Sequence, residues 1–469
     1  MTHVQATEMS AQLSHGEGYP RKWLITTVIV SLAVLLDYLI FSVNLKWTFL
    51  ALAAMAVSLL VLLRWPYGAL IALIAASAIP RYMVTVSSWN AKAEHFVAAL
   101  VALVIMVRVV LREERLQLRG CDWLLLVFAG MNYVGSAINS PDPKATLRWA
   151  LLFTLACASY FVTAHLLSSS RLLRNAMNMF LLVGAGEAVF GLLCFVSYHL
   201  FGTTQGMGYY AAQDMPAIQG SQLEPNLFGS YTASIAVMFL AYALAEARQR
   251  SWYMLGFFIT ALASLLSLAR GAWFGFLAGL LFVLWYSLAR NKVRLRKLIP
   301  TFAVLLLIAL GLSLVVLPRF EYVGERLATL ANPTEAPTLV QRGFDYAVAL
   351  EHSREHPLLG WGSSSFELFW DYDTGQGLVP AWVGNLEVRI LHDTGIIGLA
   401  LFLLFLAYLL RDVTKALKKA RDKAILTSVG ALLGGSVVLL VAFQVTEATT
   451  MAFPWVHLGL LAAAARMAR

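Results

Sequence analysis

The 469 residues are 59% hydrophobic and only 13% charged, whereas a soluble globular domain carries about 25% charged residues. A mean hydropathy of +0.72 and apolar blocks of roughly 17–25 residues predict membrane-crossing helices. The three cysteines form no CxxC pair, which argues against a disulfide framework or a cysteine metal site. The net charge of +9 is spread between apolar blocks, so nucleic acid is not an expected partner.

The apolar blocks predict 12–14 transmembrane helices in an all-α, polytopic membrane fold. The first block follows Arg21 and Lys22 and runs straight into a second one. It is therefore interpreted as a signal anchor rather than a cleavable signal. In chain order, the candidate spans are 23–43, 47–63, 67–84, 95–111, 122–139, 147–166, 176–201, 227–245, 252–268, 271–289, 298–317, 395–410, 424–445 and 451–467.

The basic residues predict the orientation of these spans, because lysine and arginine flanks remain cytoplasmic. With the N-terminus inside, 24 of the 35 lysines and arginines fall in inside segments. Both termini are then cytoplasmic, and 202–226 and 318–394 are external. We divide the chain into N-terminal spans (1–317), a large external loop (318–394) and C-terminal spans (395–469).

The large loop is predicted to be an ordered elaboration of the membrane domain. Long loops are usually functional or disordered, and the aromatic residues Trp361, Phe366 and Trp382 favour a packed one. Apolar residues recur at helical spacing over 338–353, which predicts a helix there.

Three external arginines are candidate ligands for a phosphate group. Arg270 lies in a very short join between two apolar blocks, where a charge is costly unless it is paired or faces water. Arg342 lies on the predicted loop helix, and Arg389 lies near the start of a span. Guanidinium groups bind phosphate oxygens bidentately and stabilise a leaving diphosphate. A snorkelling arginine and solvated helix faces are the alternative interpretations.

Among the histidines, His392 is the preferred candidate base, because it lies where the loop re-enters the membrane and imidazole accepts protons near neutral pH. Asp393 follows it, but neighbouring side chains diverge on a helix, so we do not expect them to pair. His352 and His356 fit HxxEH, an inverted zinc-protease motif. Because Pro357 ends the helix, a metal site is not expected.

Further candidates precede the span at 227. Glu224 and Asp214 are external carboxylates that can serve as general bases, and Asn226 is a plausible helix cap. Gly360 and Gly362 form a turn whose simplest interpretation is loop geometry.

Several of these segments resemble elements of the bacterial O-antigen ligase and polymerase superfamily. Residues 267–273 (SLARGAW) resemble its "S-x-x-R-G-A" element, and residues 224–229 (EPNLFG) resemble its "P-N" element before a span. Arg342 followed by 356–362 and Phe366 resembles its pattern of an arginine and then "P-x-x-G-x-G-x-x-x-F". Asn385 with 393–398 resembles its loop exit, "H-N-x-x-L-x-x-L-x-E-x-G-x-x-G". The motifs cover roughly 220–400.

The resemblance implies a metal-independent glycosyltransferase of the GT-C type in the bacterial inner membrane, without a cofactor and with a periplasmic site. The donor would be a glycan on undecaprenyl diphosphate and the acceptor a sugar of lipid A–core. Arg270 and Arg342 would bind the diphosphate and His392 would be the base. The family's "H-N" histidine falls on Gly384 here, so His356 and Glu224 remain alternative bases. The further substrate-binding candidates are Arg389, Asn385, Glu224, Asn226 and His356.

The resemblance leaves the acceptor open. An O-antigen polymerase, which extends a glycan on its own carrier, and a protein O-oligosaccharyltransferase belong to the same superfamily. A lipid-linked glycan transporter is a more remote alternative, because it predicts inverted repeats and broken helices at mid-membrane, and the sequence has no clear repeat.

Overall fold

The computed structural model describes residue 58 and residues 61–80, 83–86, 89–111, 117–210, 215–246, 248–291, 337–369 and 382–468. Of the predicted spans, 23–43, most of 47–63 and the whole of 298–317 lie outside the described residues. The described part of the chain is mostly helical, which confirms the all-α, polytopic fold class.

Twelve α-helices and two short hairpins follow one another in this part of the chain. Eight of the helices are long and apolar enough to cross a membrane. The elements are α1 (Pro66–Ser77), β1 (Met83–Val86), β2 (Trp89–Lys92), α2 (Ala93–Val110), α3 (Gly120–Ile138), α4 (Pro143–Leu166), α5 (Ser170–Phe201), β3 (Met207–Tyr210), β4 (Met215–Ile218), α6 (Pro225–Ala245), α7 (Arg250–Leu266), α8 (Arg270–Asn291), α9 (Pro337–His352), α10 (Leu386–Lys419), α11 (Lys423–Ala442) and α12 (Ala452–Met467).

Local sequence explains where several of these helices begin and end. The side chains of Asp142, Ser169 and Asp422 accept hydrogen bonds from backbone N–H groups in the first turns of α4, α5 and α11. These bonds satisfy donors that have no partner within the helix. Gly202 ends α5 in the left-handed conformation with φ 71°, where a residue without Cβ is favoured.

Helix α6 lies at the centre of the bundle and is buried along its whole length. It packs against α7, α8 and α11. Small residues permit close approach: a Cβ on Gly434 would lie 2.5 Å from a methyl of Val283 and 2.9 Å from Val237. Such packing replaces the hydrophobic driving force that is lacking between helices inside a bilayer.

The chain reversals that we predicted to be external lie together at one end of the bundle, here called the loop face. Hydrogen bonds join them across long sequence separations, from Asn139 to the carbonyl of Gly360 (2.8 Å) and between His95 and the carbonyl of Thr450 (2.8 Å). The other end, the opposite face, has its own links, such as Lys423 Nζ to the carbonyl of Ala245 (2.8 Å). The two faces hold the two predicted sets of loops.

Two of the predicted spans differ from the structure. The span 67–84 is wrong in its second half, because α1 ends at Ser77 and the chain then forms the antiparallel β1–β2 hairpin. The span 395–410 begins too late, because α10 runs from Leu386 to Lys419 with a break at Gly395. The predicted loop helix 338–353 is confirmed as α9.

Candidate functional site

The turn Gln444–Glu447, which is part of the connection 443–451 between α11 and α12, is the point where elements of the loop face meet. The hydroxyl of Tyr346 on α9 and the amide of Asn385 before α10 both donate to the carbonyl oxygen of Gln444, each over 3.2 Å. Thr446 Oγ1 donates to Glu224 before α6 over 2.9 Å. A Cβ on Gly271 at the start of α8 would lie 2.2 Å from Val445. Parts of the chain up to 222 residues apart thus converge on this turn.

A buried ionic cluster lies beside this turn, centred on Arg389, whose exposed fraction is 5%. Its Nη1 is 3.1 Å from Glu447 Oε1, and its Nε is 3.6 Å from Asp393 Oδ2. Nη2 donates to Ser364 Oγ over 2.5 Å, and the guanidinium lies 4.4 Å from the ring centre of Trp382. One buried cation is therefore shared by two carboxylates, a hydroxyl and an aromatic face.

The next link is the pair of His392 and Asp393, which we expected not to pair. That prediction is wrong, because His392 Nδ1 lies 3.2 Å from Asp393 Oδ1. The other ring nitrogen, Nε2, is buried and has no hydrogen-bond partner in the described part of the chain. With Asp393 accepting from Nδ1–H, the free lone pair lies on Nε2, the arrangement of a general base oriented by a carboxylate.

The ring of His392 is enclosed by aromatic side chains of the loop. Its exposed fraction is 0%, and its centre lies 5.4 Å from the ring of Phe366, 5.9 Å from Phe369 and 6.0 Å from His352. A substrate reaches Nε2 only if part of this aromatic wall moves aside.

A break in α10 explains how the His392–Asp393 pair is held. Gly395 has φ 67° and ψ −171°, and the chain there pairs with the loop after α9. The N–H groups of Trp361 and Gly362 donate to the carbonyls of His392 and Asp393, each over 2.9 Å. The glycine-rich turn at 360–362 is therefore required for this pairing, because a Cβ on Gly360 would lie 2.4 Å from the backbone of Thr394.

Two non-glycine residues in the described part of the chain have φ in the left-handed region, and both lie next to candidate site residues. Leu268 (φ 54°) is two residues before Arg270. Ser364 (φ 53°) accepts from Arg389 and donates its N–H to Asp393 Oδ2 over 2.8 Å. Such backbone strain concentrates at functional sites.

The two arginines proposed for the diphosphate lie on the elements that meet at the turn. Arg270 is 8% exposed and begins α8. Arg342 is half-buried on α9, one helical turn before Tyr346, so both residues share a face. Burial raises the pKa of the Glu224 carboxyl, whereas its bond from Thr446 and the nearby charge of Arg342 lower it. Arg342 therefore lies within electrostatic reach of Glu224.

The other predicted site residues differ in their structural roles. Asn385 caps α10, since its side chain accepts from the N–H of Val388 over 3.0 Å. The prediction that Asn226 caps α6 is wrong, because Glu224 is the N-cap and Pro225 the first helical residue. His356 packs edge-on against Trp361 at 4.2 Å. Asp214 lies outside the described residues.

The HxxEH segment does not have the geometry of a metal site. Helix α9 ends at His352, five residues earlier than Pro357, so His356 is not on the same helix. In the described ranges, no group of three or more histidine, cysteine or carboxylate side chains is arranged to hold a metal ion.

Sequence reasoning missed Glu447 and Lys92. Both are buried, with exposed fractions of 2% and 5%. Burial lowers the pKa of the Lys92 ammonium, and the charges of Glu94 and Glu447 oppose that shift. A signal was present for Glu447, because it lies in a short join between two apolar blocks, as Arg270 does, where charges are functional candidates.

An apolar groove lies between α8, α10, α11 and α12, with a volume of about 680 Å³. It extends from the turn that carries Glu447 toward the opposite face. Its lining includes Leu386, Phe443 and Thr449 near the loop face and Phe402, Tyr286 and Leu417 farther along the helices.

Fold and site together define a multi-pass membrane protein with a buried, charged site at one face. Residues 255–403 match the family model described as O-antigen ligase. This region is therefore similar to the O-antigen ligase family, which is consistent with a member of the O-antigen ligase/polymerase superfamily, and the resemblance found in the motifs is confirmed. The matched range holds Arg270, Arg342 and His392 but ends before Glu447. No curated protein matches the chain.

Proposed function

We propose that this protein is a glycosyltransferase that moves O-antigen polysaccharide from undecaprenyl diphosphate to lipid A–core, without a metal ion and with inversion at the transferred sugar. One observation carries the proposal. Arg270, Arg342 and the His392–Asp393 pair all fall within the range that matches the O-antigen ligase family and on elements of the loop face.

Arg270 and Arg342 are the proposed diphosphate ligands. Their elements, α8 and α9, both contact the Gln444–Glu447 turn, so a diphosphate at that turn lies within reach of both. Two guanidinium groups neutralise the charge that grows on the leaving diphosphate, which stabilises the transition state.

His392 is the proposed base. Its Nε2 takes the proton of an acceptor hydroxyl, whose oxygen forms the new bond to the anomeric carbon of the donor. The bond from that carbon to the diphosphate oxygen breaks, and its electron pair leaves with the diphosphate. Asp393 keeps the proton on Nδ1, so that Nε2 stays an acceptor. Attack opposite the leaving group inverts the anomeric centre.

The apolar groove supports a lipid-linked donor, and we assign it to the polyprenyl chain. Its walls are apolar, and its end near Phe443 and Thr449 adjoins the charged site. A bulky side chain at Leu433, on the groove wall, should raise the KM for the donor and leave kcat unchanged. An unchanged KM would refute the assignment.

The proposal includes the membrane in which the protein lies and its orientation there. The protein lies in the bacterial inner membrane with its loop face on the periplasmic side and both termini cytoplasmic, as the distribution of basic residues predicts. Cysteine labelling with an impermeant reagent tests this arrangement. Labelling of Tyr209→Cys but not of Arg421→Cys in intact spheroplasts is expected, and the reverse pattern would refute it.

The transfer reaction itself is tested with purified protein, undecaprenyl-diphosphate glycan and lipid A–core in the presence of chelator. The expected product is glycan on lipid A–core. Arg270→Ala and Arg342→Ala should each reduce transfer about 100-fold or more, whereas Arg354→Ala, an exposed arginine of the same loop, should not. If both variants retain full transfer at normal protein levels, the diphosphate assignment falls.

The products and the base variants separate the alternatives. A ladder on undecaprenyl diphosphate with unchanged lipid A–core would indicate a polymerase, and glycan on protein would indicate a protein O-oligosaccharyltransferase. His392→Ala is expected to abolish transfer. If Glu224→Gln abolishes it and His392→Ala does not, Glu224 is the base.

A further inference from the structure

Glu447 is a buried carboxylate of the loop face that lies outside the family-matched range. Its Oε1 faces Arg389 at 3.1 Å, and its Oε2 accepts from the N–H and the hydroxyl of Thr449, each over 2.6 Å. Both oxygens are therefore held. A carboxylate fixed in this way keeps its negative charge at a constant position beside Arg389.

The surroundings of Glu447 keep it in place. The start of α2 holds the turn before α12, because Glu94 Oε2 accepts from the N–H of Ala452 over 3.0 Å and His95 contacts the carbonyl of Thr450. Lys92, at the end of β2, places a second buried cation within electrostatic reach of Glu447. The segment between Glu447 and α12 is thus fastened to the start of α2.

A continuous chain of polar contacts leads from Glu447 to the proposed base. Glu447 contacts Arg389, Arg389 Nε lies 3.6 Å from Asp393 Oδ2, and Asp393 Oδ1 contacts His392 Nδ1 at 3.2 Å. Among these four residues, Arg389 is the only cation when His392 is neutral, and a carboxylate lies on either side of it. Without Glu447, the charge of Arg389 would be balanced only by Asp393 and the more distant effect of Glu367, and it would compete with the imidazole for the Asp393 carboxylate.

We propose that Glu447 is a positioning residue that balances the charge of Arg389 and so preserves the basicity and tautomer of His392 through Asp393. The inference rests on the proposed transferase function and on His392 as its base. Glu447 contacts neither the imidazole nor the reacting atoms in this scheme, so its effect must pass through Arg389.

Other titratable groups face the same chain and must be included in a pH experiment. Lys92 and Glu367 lie within electrostatic reach of both Arg389 and Glu447, and Glu94 lies within reach of Lys92. His352 lies beside His392, and burial lowers the pKa of His352, as does the nearby His392. Glu224 is within electrostatic reach of Glu447. Lys92, Glu224 and Glu367 respond electrostatically to Glu447, so a difference between two pH profiles reports the removed charge together with their response to it.

The test is the pH profile of kcat in the reconstituted transfer assay. Glu447→Gln removes a negative charge that stabilises the imidazolium, so the acidic limb should move to lower pH, by about half a unit to one unit. The weaker base should also reduce kcat, roughly 10-fold. Glu447→Asp keeps the charge but retracts it from Arg389, so a smaller shift in the same direction is expected.

The matched control is Glu387→Gln. Glu387 accepts from Gln444 of the same turn over 3.0 Å but is not part of the chain to His392, so its acidic limb should coincide with that of the wild type. If the Glu447→Gln protein is not recovered as a monodisperse species, Glu447→Asp decides alone. An unshifted limb in the Glu447 variant overturns the inference, and wild-type protein without any transfer overturns the proposed function instead.

Discussion

The two ends of the bundle both contain buried ion clusters, but the clusters are built differently. At the opposite face, Asp122 accepts from Arg466 Nη2 (2.7 Å), from the hydroxyl of Tyr160 (2.8 Å) and from the N–H of Arg119 (2.8 Å). One carboxylate there is surrounded by donors. At the loop face, the cation Arg389 is surrounded by acceptors, and the chain continues to a histidine whose Nε2 has no partner among the described residues.

The backbone differs in the same way. In the described ranges, every residue with φ in the left-handed region belongs to the loop face: Gly202, Gly206, Gly220, Leu268, Gly360, Gly362, Ser364 and Gly395. Among the described residues of the opposite face, the turns contain no φ in that region. Strained backbone persists only where surrounding contacts fix it, and it concentrates at sites of function. Leu268 and Ser364 are the two non-glycine residues among them, so within the described residues this strain lies on the side of the proposed site.

The largest expected effect is that of Gly395→Ala. A Cβ there would lie 2.3 Å from the backbone of Leu358, and φ is 67°. We expect a loss of about 4 kcal/mol or more in unfolding free energy, together with loss of transfer. Gly343→Ala is the control, because its Cβ meets nothing within 4 Å and alanine stabilises a helix interior by up to about 1 kcal/mol. Thermal unfolding in detergent measures both, and equal stability of the two variants would contradict the role of the break.

Asp122→Ala should have the next largest effect, and the effect should be on the free energy of unfolding. It leaves the guanidinium of Arg466, whose side chain is 15% exposed, without its carboxylate, which typically costs about 3–5 kcal/mol. Asp422→Ala, which removes an exposed N-cap at the same face, should cost only about 1 kcal/mol. The pH profile of the surviving Asp122→Ala activity should match the wild type. A shifted profile would mean that the opposite-face cluster takes part in the reaction.

Asp393→Asn should show the reverse pattern. The amide cannot hold His392 in the same tautomer, so transfer should fall by about 100-fold to 10,000-fold, with a smaller loss of stability than in Asp122→Ala. Asp142→Asn serves as the control, because asparagine caps helix α4 as well as aspartate does. Retention of transfer in Asp393→Asn would show that the Asp393–His392 contact is structural only.

Most of the fold could be predicted from the sequence, because hydropathy responds to the length of an apolar helix. The spans at 122–139, 227–245 and 451–467 agree with α3, α6 and α12 within a few residues. Hydropathy does not predict the helix bounds correctly where apolar residues form a strand or where a helix is broken. The hairpin strand β1 was absorbed into the span 67–84, and the start of α10 was placed at Gly395, since neither a hairpin nor a positive φ changes the count of apolar residues.

The candidate site could be predicted only in part, because sequence does not show which loops meet. Charge placement and motif resemblance selected Arg270, Arg342 and His392 as candidates, and the structure assigns all three to the loop face. Glu447 was missed, since its importance comes from its contact with Arg389, 58 residues earlier in the chain. The His392–Asp393 contact was rejected on the geometry of an ideal helix, whereas α10 breaks at Gly395, next to the pair.

The smallest expected effect is that of Glu224→Gln on the pH dependence of stability. It tests whether a buried carboxylate of the loop face is a fastening, as Asp122 is at the opposite face. Burial raises the pKa of this carboxyl, so the folded state binds its proton more tightly than the unfolded state does. Its contribution to stability must then fall as pH rises from the unfolded value near 4.5 through the raised folded value. Glu224→Gln removes this penalty, so its Tm relative to the wild type should increase between pH 5 and pH 8, by roughly 1–3 °C. If Glu224→Gln is instead most stabilising at low pH, the Glu224 carboxylate is held ionised by Arg342 and Thr446. The loop face would then resemble the opposite face, where the hydrogen-bonded carboxylate of Asp122 joins helices.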